Sequence, residues 1–220
     1  KEERNGILKN IGAMSMHKLA TVIVNNTDSL LMSSFIGLTA VGIYSNYRMV
    51  IINVQNIIVK LLSAFTGSVG NLSALEEPAK VYRIYREMDF MFFALNAYFA
   101  AGMFILINPF IAIFFGEQYC FSTVTVALII TSFFITGLRR VNLIFREGMG
   151  LFWNDRYKAV AESIINLVVS LLLVKPFGIA GIVGGTIIST VTTCAWIEPY
   201  VLMKHGIKED WQARLRRYFA

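Results

Sequence analysis

Three stretches of the chain, 90–116, 118–138 and 176–197, contain no Asp, Glu, Lys or Arg. A helix crossing the hydrocarbon core of a bilayer needs about 20 mostly apolar residues, so each stretch is long enough to span one. Composition points the same way: 56% of the 220 residues are hydrophobic and 15% charged, where a soluble domain carries about 25% charged residues. With a mean hydropathy of +0.60 the chain has too little polar surface to cover itself in water. Lipid is its predicted solvent.

Three further segments are long and apolar but carry charges, giving predicted spans at 10–36, 44–69, 88–115, 122–147, 155–174 and 179–203. The expected fold is an all-α membrane protein with a six-helix transmembrane lobe over 1–207 and an amphipathic tail at 208–220. The tail places Trp211, Leu215, Tyr218 and Phe219 on one helical face, apart from Arg214, Arg216 and Arg217, as a helix lying on a membrane surface does. No signal peptide is recognised at the start, because KEERNGILKN is polar and the apolar segment after it is too long and too polar for an h-region.

Orientation follows from the basic residues. With six spans, the chain start, 70–87, 148–154 and the tail share one side. That side holds Lys1, Arg4, Lys9, Lys80, Arg83, Arg86, Arg156 and the basic tail, whereas the other side holds Lys175 alone. The positive-inside rule makes both termini cytoplasmic. It also accounts for the net charge of +6 through basic loops facing anionic lipids, so no nucleic-acid partner is expected.

Helical spacing gathers polar residues into stripes. Lys18, Thr21, Asn25 and Asp28 share a face of the first span; Asn46, Asn53, Asn56, Lys60 and Ser63 share one in the second. Ser132, Thr136 and Arg139, with Arg140 beside them, mark the fourth, and Asp155, Lys158, Glu162, Asn166 and Ser170 the fifth. Asn, Ser and Thr in membrane helices commonly join helix to helix. Arg146, Lys158 and Asp155 lie close enough to the inner interface to snorkel. Charges deeper in a span turn toward partners or a water-filled cavity. Lys18, Arg48, Asn53, Asn56, Lys60, Arg139 and Arg140 are therefore the candidate lumen residues for substrate, and Asp28 and Glu162 the candidates for ion coupling or a structural ion pair. The surplus of cations suits an anionic substrate, since guanidinium groups grip phosphate oxygens bidentately.

Gly181 and Gly185 form a GxxxG pair in the sixth span, which predicts close helix packing. Pro109 is expected to bend or end the third span. His17 and His205 have no Cys or carboxylate at ligand spacing, so neither a metal site nor a cofactor is expected. TGSVG at 66–70 lacks the first Gly of a nucleophile elbow. The chain is not read as an enzyme. Cys120 and Cys194 lie at different depths and are expected to stay unbridged.

Two long segments carry a family resemblance: NGILKNIGAMSMHKLATVIVNNTDSLLMSSFIGLTAVGIYSNY at 5–47 and GLFWNDRYKAVAESIINLVVSLLLVKPFGIAGIVGGTIIS at 150–189. Together they resemble the second half of bacterial polysaccharide biosynthesis flippases, exporters of O-antigen or capsule repeat units. That family belongs to the superfamily of multidrug and toxin extrusion transporters and the lipid II flippase. The resemblance implies a twelve-helix transporter of two lobes in the bacterial cytoplasmic membrane, working by alternating access. It implies a cationic cavity for an undecaprenyl-diphosphate-linked oligosaccharide, with membrane lipids around it. An N-terminal six-helix lobe, in cis or as a separate chain, would complete the transporter, because one lobe lacks half the cavity wall. A drug or cation antiporter lobe, expected to show an acidic lumen, and a non-transporting membrane scaffold, expected to show no cavity, are the alternatives.

Overall fold

The computed structural model describes the backbone of residues 2–207; within the first helix it describes the side chains of 11, 12, 14, 15, 18, 19 and 22, and side chains from 26 onward. The tail at 208–220 and the side chain of Asn25 lie outside the described residues. Among the described residues eight α-helices carry the fold: α1 (Glu2–Phe35), α2 (Leu38–Ser63), α3 (Thr66–Leu75), α4 (Pro78–Phe114), α5 (Thr123–Leu138), α6 (Arg140–Gly148), α7 (Lys158–Phe177) and α8 (Ile179–Val201). A π-helix at Leu202–Ile207 continues α8.

Among the described residues, five segments are long and apolar enough to cross a membrane: Leu38–Leu75, Pro78–Phe114, Thr123–Gly148, Lys158–Phe177 and Ile179–Ile207. They overlap the second to sixth predicted spans, with different bounds. α1, which carries Lys18, Asn26 and Asp28 and is described only in part, is not among them.

Two of the five spans are broken, a feature periodicity does not show. The second divides into α2 and α3 at Ala64–Phe65, and the fourth into α5 and α6 at Arg139. The two short segments beyond the breaks cross at a glycine contact: a Cβ on Gly148 would meet the Gly70 nitrogen at 3.1 Å and the Thr66 carbonyl oxygen at 3.2 Å. Pro109 lies inside α4, which runs on to Phe114 without ending there. Pro78 opens the same helix at its first turn, where its missing N–H leaves no bond unmade. Gly178 joins α7 to α8 with φ +58° and ψ −131°, a conformation that a side chain would strain.

Apolar packing forms two clusters with a polar zone between them. The larger joins α2, α4, α5 and α6 around Tyr47, Tyr85, Phe133 and Phe145; the smaller joins α1, α7 and α8 around Met32, Val174 and Ile182. α8 is the central helix, since 44% of its most apolar stretch is buried against 11% for the α2–α3 span.

A small hub ties the larger cluster together where α4 gives way to α5. The buried Tyr47 hydroxyl donates to Asn108 Oδ1 at 2.5 Å and accepts from the Phe121 backbone N–H at 2.8 Å, while the Tyr47 ring stacks on Phe121 at 4.6 Å. Tyr47→Phe would leave both of the hydroxyl's partners unpaired, so a loss of about 1–3 kcal/mol is expected. Chemical unfolding in detergent measures it; an unchanged midpoint would show that neither partner depends on the hydroxyl.

Candidate functional site

Between the two apolar clusters lies a cavity of about 450 Å³. Its charged lining comes from four helices and a helix break: Asp28 from α1, Arg48 from α2, Arg139 from the α5–α6 break, Arg140 from α6 and Glu162 from α7. Lys18, Asn53, Asn56 and Lys60 do not line it; all four are exposed on the surface of the lobe, and Asn53 donates to the Met49 carbonyl oxygen on its own helix at 2.9 Å. Periodicity groups Asn53, Asn56 and Lys60 with each other correctly. It does not reveal that the adjacent face of α2, through Arg48, Ile51, Ile52 and Gln55, is the one that turns to the cavity.

The stripe on α7 meets α8 along a seam of polar rungs. α7 supplies Ser170, Asn166, Glu162 and Lys158, one per turn, and α8 answers with residues four apart or a multiple of four. Ser170 donates to the Ile182 carbonyl oxygen at 3.3 Å; Asn166 Nδ2 donates to Thr186 Oγ1 at 3.0 Å; Thr190 Oγ1 donates to Glu162 Oε1 at 3.2 Å; Lys158 Nζ donates to Glu198 Oε1 at 2.6 Å. The two glycines of the GxxxG pair allow the approach. A Cβ on Gly181 would sit 2.1 Å from the Leu173 carbonyl oxygen, and one on Gly185 would sit 2.2 Å from Ser170 Oγ.

Two side chains from outside the hairpin join the seam. Asp28 Oδ2 accepts from the Thr186 hydroxyl at 3.3 Å. Arg139 Nη1 donates to Glu162 Oε1 at 3.0 Å, while its Nη2 and Nε hold Glu198 at 2.7 and 3.2 Å. The chain of charge continues away from the cavity: Lys158 Nζ also lies 3.1 Å from Asp155 Oδ2, which Arg146 Nη1 reaches at 2.7 Å. Arg146, Asp155 and Lys158 are all buried. They do not snorkel to the interface as the sequence suggested, because each has a buried countercharge, which costs less than reaching for solvent past packed helices.

This pairing changes the electrostatics expected of the lumen. Three guanidinium groups line the cavity, but the charge of Arg139 is taken up by Glu162 and Glu198. Arg140 makes no ion pair within 4.0 Å among the described residues, and the Glu147 and Glu198 carboxylates act on it only from further away.

The Asp28 rung has the opposite character. Asp28 Oδ1 and Asn166 Oδ1 are buried oxygens with no hydrogen-bond partner among the described residues. Thr186 has one hydrogen to give and cannot serve them, since it donates toward Asp28 Oδ2 or the Ile182 carbonyl oxygen at 3.4 Å. Two orphaned acceptors, one of them an oxygen of the Asp28 carboxylate, are costly unless positive charge meets them, and of the cavity's guanidinium groups Arg48 acts on Asp28 without bonding Oδ1. No cluster of three His, Cys, Asp or Glu side chains gathers among the described residues, so a cation here would rest on one carboxylate plus amide and hydroxyl oxygens, a donor set suited to a hard ion. Sequence reading placed Asp28 on a polar face and Asn166 on a stripe but missed Thr186, whose signal was its four-residue spacing from Ile182 and Thr190 on a helix read for its glycines.

Two solved structures share this fold. A MOP superfamily transporter from Pyrococcus furiosus, whose binding pocket of reverse polarity is described as suggesting a different function, matches with a TM-score of 0.75 at 15% identity, over 93% of this chain and 45% of that one. A multidrug resistance MATE family transporter of the MOP superfamily, in an outward-facing conformation, matches with a TM-score of 0.75 at 14% identity, over 90% of this chain and 44% of that one. No family model matches the chain. No curated protein matches it either. The chain thus spans about half the length of the structures it resembles, and at these identities what is shared is the fold: an all-helical multi-pass lobe like those of MOP superfamily transporters.

Proposed function

We propose that this chain is the C-terminal lobe of an alternating-access flippase that carries an undecaprenyl-diphosphate-linked oligosaccharide across the bacterial cytoplasmic membrane. The observation that carries the reading is the cavity: a membrane lobe with this fold holds Arg48, Arg139 and Arg140 at one polar opening between its helices. Arg140, which makes no ion pair within 4.0 Å among the described residues, is the group best placed to take a diphosphate oxygen. α1 serves as the sixth span, both termini face the cytoplasm, and the exposed Asn53, Asn56 and Lys60 on α2 face a second lobe across an aqueous cleft, where a polar stripe costs less than it would against lipid. Transport of this kind moves its cargo without breaking a bond.

Asp28, Asn166 and Thr186 supply the coupling site in this reading, where a monovalent cation such as sodium would meet the two orphaned oxygens. The cavity's two carboxylates support a second reading, a drug or cation antiporter, in which Asp28 and Glu162 receive a cationic substrate directly.

Complementation separates the two. The chain, expressed with a second lobe in a cell lacking its own flippase, is expected to restore surface polysaccharide. Arg140→Ala should lower the restored glycan at least about tenfold, the cost of one charged contact at about 1.4 kcal/mol or more, and Asp28→Asn should do so with normal membrane insertion. Wild-type glycan from both variants would overturn the assignments. Drug resistance in place of restored glycan would establish the antiporter.

A further inference from the structure

Two neighbouring rungs of the α7–α8 seam serve opposite charges. Asn166 and Thr186 form the rung with the orphaned oxygens; Glu162 and Thr190, one turn further along each helix, form the rung that holds Arg139. Residues four apart on a helix lie about 5–6 Å from each other, so a cation at the first rung would sit beside the Glu162 carboxylate. Glu162 Oε1 is shared by Arg139 Nη1 and Thr190 Oγ1. Arg139 itself does not depend on Glu162 for its position, because Glu198 holds its Nε and Nη2.

From this arrangement we infer that Glu162 is a positioning residue that couples the two ligands of the cavity: a cation at the Asp28 rung draws Glu162 away from Arg139 and thereby frees Arg139 Nη1 for an anion. The inference rests on the cation and cargo readings proposed above. The physical logic is charge balance in a medium of low dielectric. An anion approaching Arg139 competes with Glu162 for the same nitrogen, and the displaced carboxylate needs a new partner, which the cation one turn away provides. Cation and anion therefore enter as a neutral pair, each lowering the cost of the other. Linkage requires the effect to be reciprocal, with the same factor in both directions.

The full chain in lipid nanodiscs tests this by calorimetric titration, with sodium ions as the cation probe and inorganic diphosphate as the anion probe. The quantity read is the ratio of sodium affinities with and without saturating diphosphate, and the converse ratio. For the wild type both ratios are expected to agree and to lie within about 5- to 150-fold, the usual span of allosteric coupling. In Glu162→Gln they should fall to about one, whatever the separate affinities become. Pairing of sodium with diphosphate in free solution is the same for both proteins, so the difference between them reports the protein. Two ligands that bind the wild type independently would overturn this inference alone, as would equal ratios in the wild type and Glu162→Gln. Absence of sodium binding would overturn the coupling-cation reading, and absence of diphosphate binding the cargo reading, each taking this inference with it. Should Glu162→Gln fail to fold, a wild-type ratio of one remains decisive against the inference.

Discussion

Glu198→Ala is expected to destabilise the lobe by about 3–5 kcal/mol, the cost of breaking a buried ion pair and leaving its partner charged. Glu198 is 3% exposed and accepts from Arg139 through two nitrogens and from Lys158 Nζ. Its removal strands surplus positive charge in the network, because Arg139 keeps only Glu162, and the buried Lys158 only Asp155, as countercharge. Since folded domains are stable by only about 5–15 kcal/mol, a large share of the folded population should be lost, visible as a lower unfolding midpoint in detergent and a reduced yield. Glu198→Gln, which keeps an acceptor oxygen, should fall between. Combining Glu198→Ala with Lys158→Met removes one of the stranded charges, and the double variant should be less destabilised than Glu198→Ala alone. A single variant within about 0.5 kcal/mol of the wild type, the range of ordinary surface substitutions, would show that the network contributes nothing to stability.

Gly181→Ala should be the most damaging of the conservative changes. The added methyl would lie 2.1 Å from the Leu173 carbonyl oxygen and 2.5 Å from its carbon. Both are backbone atoms of α7, which no rotamer change can clear, so the hairpin must open. The expected loss is at or above the upper end of the roughly 1–3 kcal/mol typical of overpacking. Opening the hairpin also stretches the Ser170–Ile182 and Asn166–Thr186 rungs nearby. Gly184, on the same helix, is the internal control: a Cβ there meets only Leu173 Cδ1 at 3.8 Å, an ordinary contact. Gly184→Ala should therefore be neutral or stabilise by up to about 1 kcal/mol from helix propensity. Parallel thermal scans of the two variants decide; equal shifts would mean that the close approach at Gly181 relaxes in the membrane.

The wider consequence of the seam is that one helical hairpin performs two tasks. Its glycines bring α7 and α8 close, and that closeness sets Asn166, Glu162 and Lys158 against Thr186, Thr190 and Glu198. Packing and charge are thus not separable here, which is why a methyl group at Gly181 reaches the polar site. The seam also redefines Arg139. By depth and face it reads as an anion-binding residue, but two carboxylates hold it within ion-pair distance, where Arg140 meets Glu147 and Glu198 only from further away.

Much of this protein follows from its sequence alone. Charge-free runs and low charge density decide the solvent, and with it the helical class, since backbone groups in lipid must bond within their own segment. Five helical segments long and apolar enough to cross a membrane overlap the second to sixth predicted spans, Pro78 opens α4, and Gly181 and Gly185 mark the tight crossing. Periodicity also sorts polar residues correctly into faces: the stripe from Lys158 to Ser170 is a real face of α7. What periodicity cannot supply is the neighbour that a face meets. The α2 stripe of Asn53, Asn56 and Lys60 and the α7 stripe look alike in sequence, yet the first is exposed and the second is the seam against α8. Likewise nothing local distinguishes Lys158 and Arg146, paired in the interior, from basic residues that reach for an interface. The rotation of each helix about its own axis is set by the shapes of the helices around it. Only the assembled lobe, where glycine backbones touch and Asp28 arrives from 158 residues away in the chain to meet Thr186, decides which polar residues become a site.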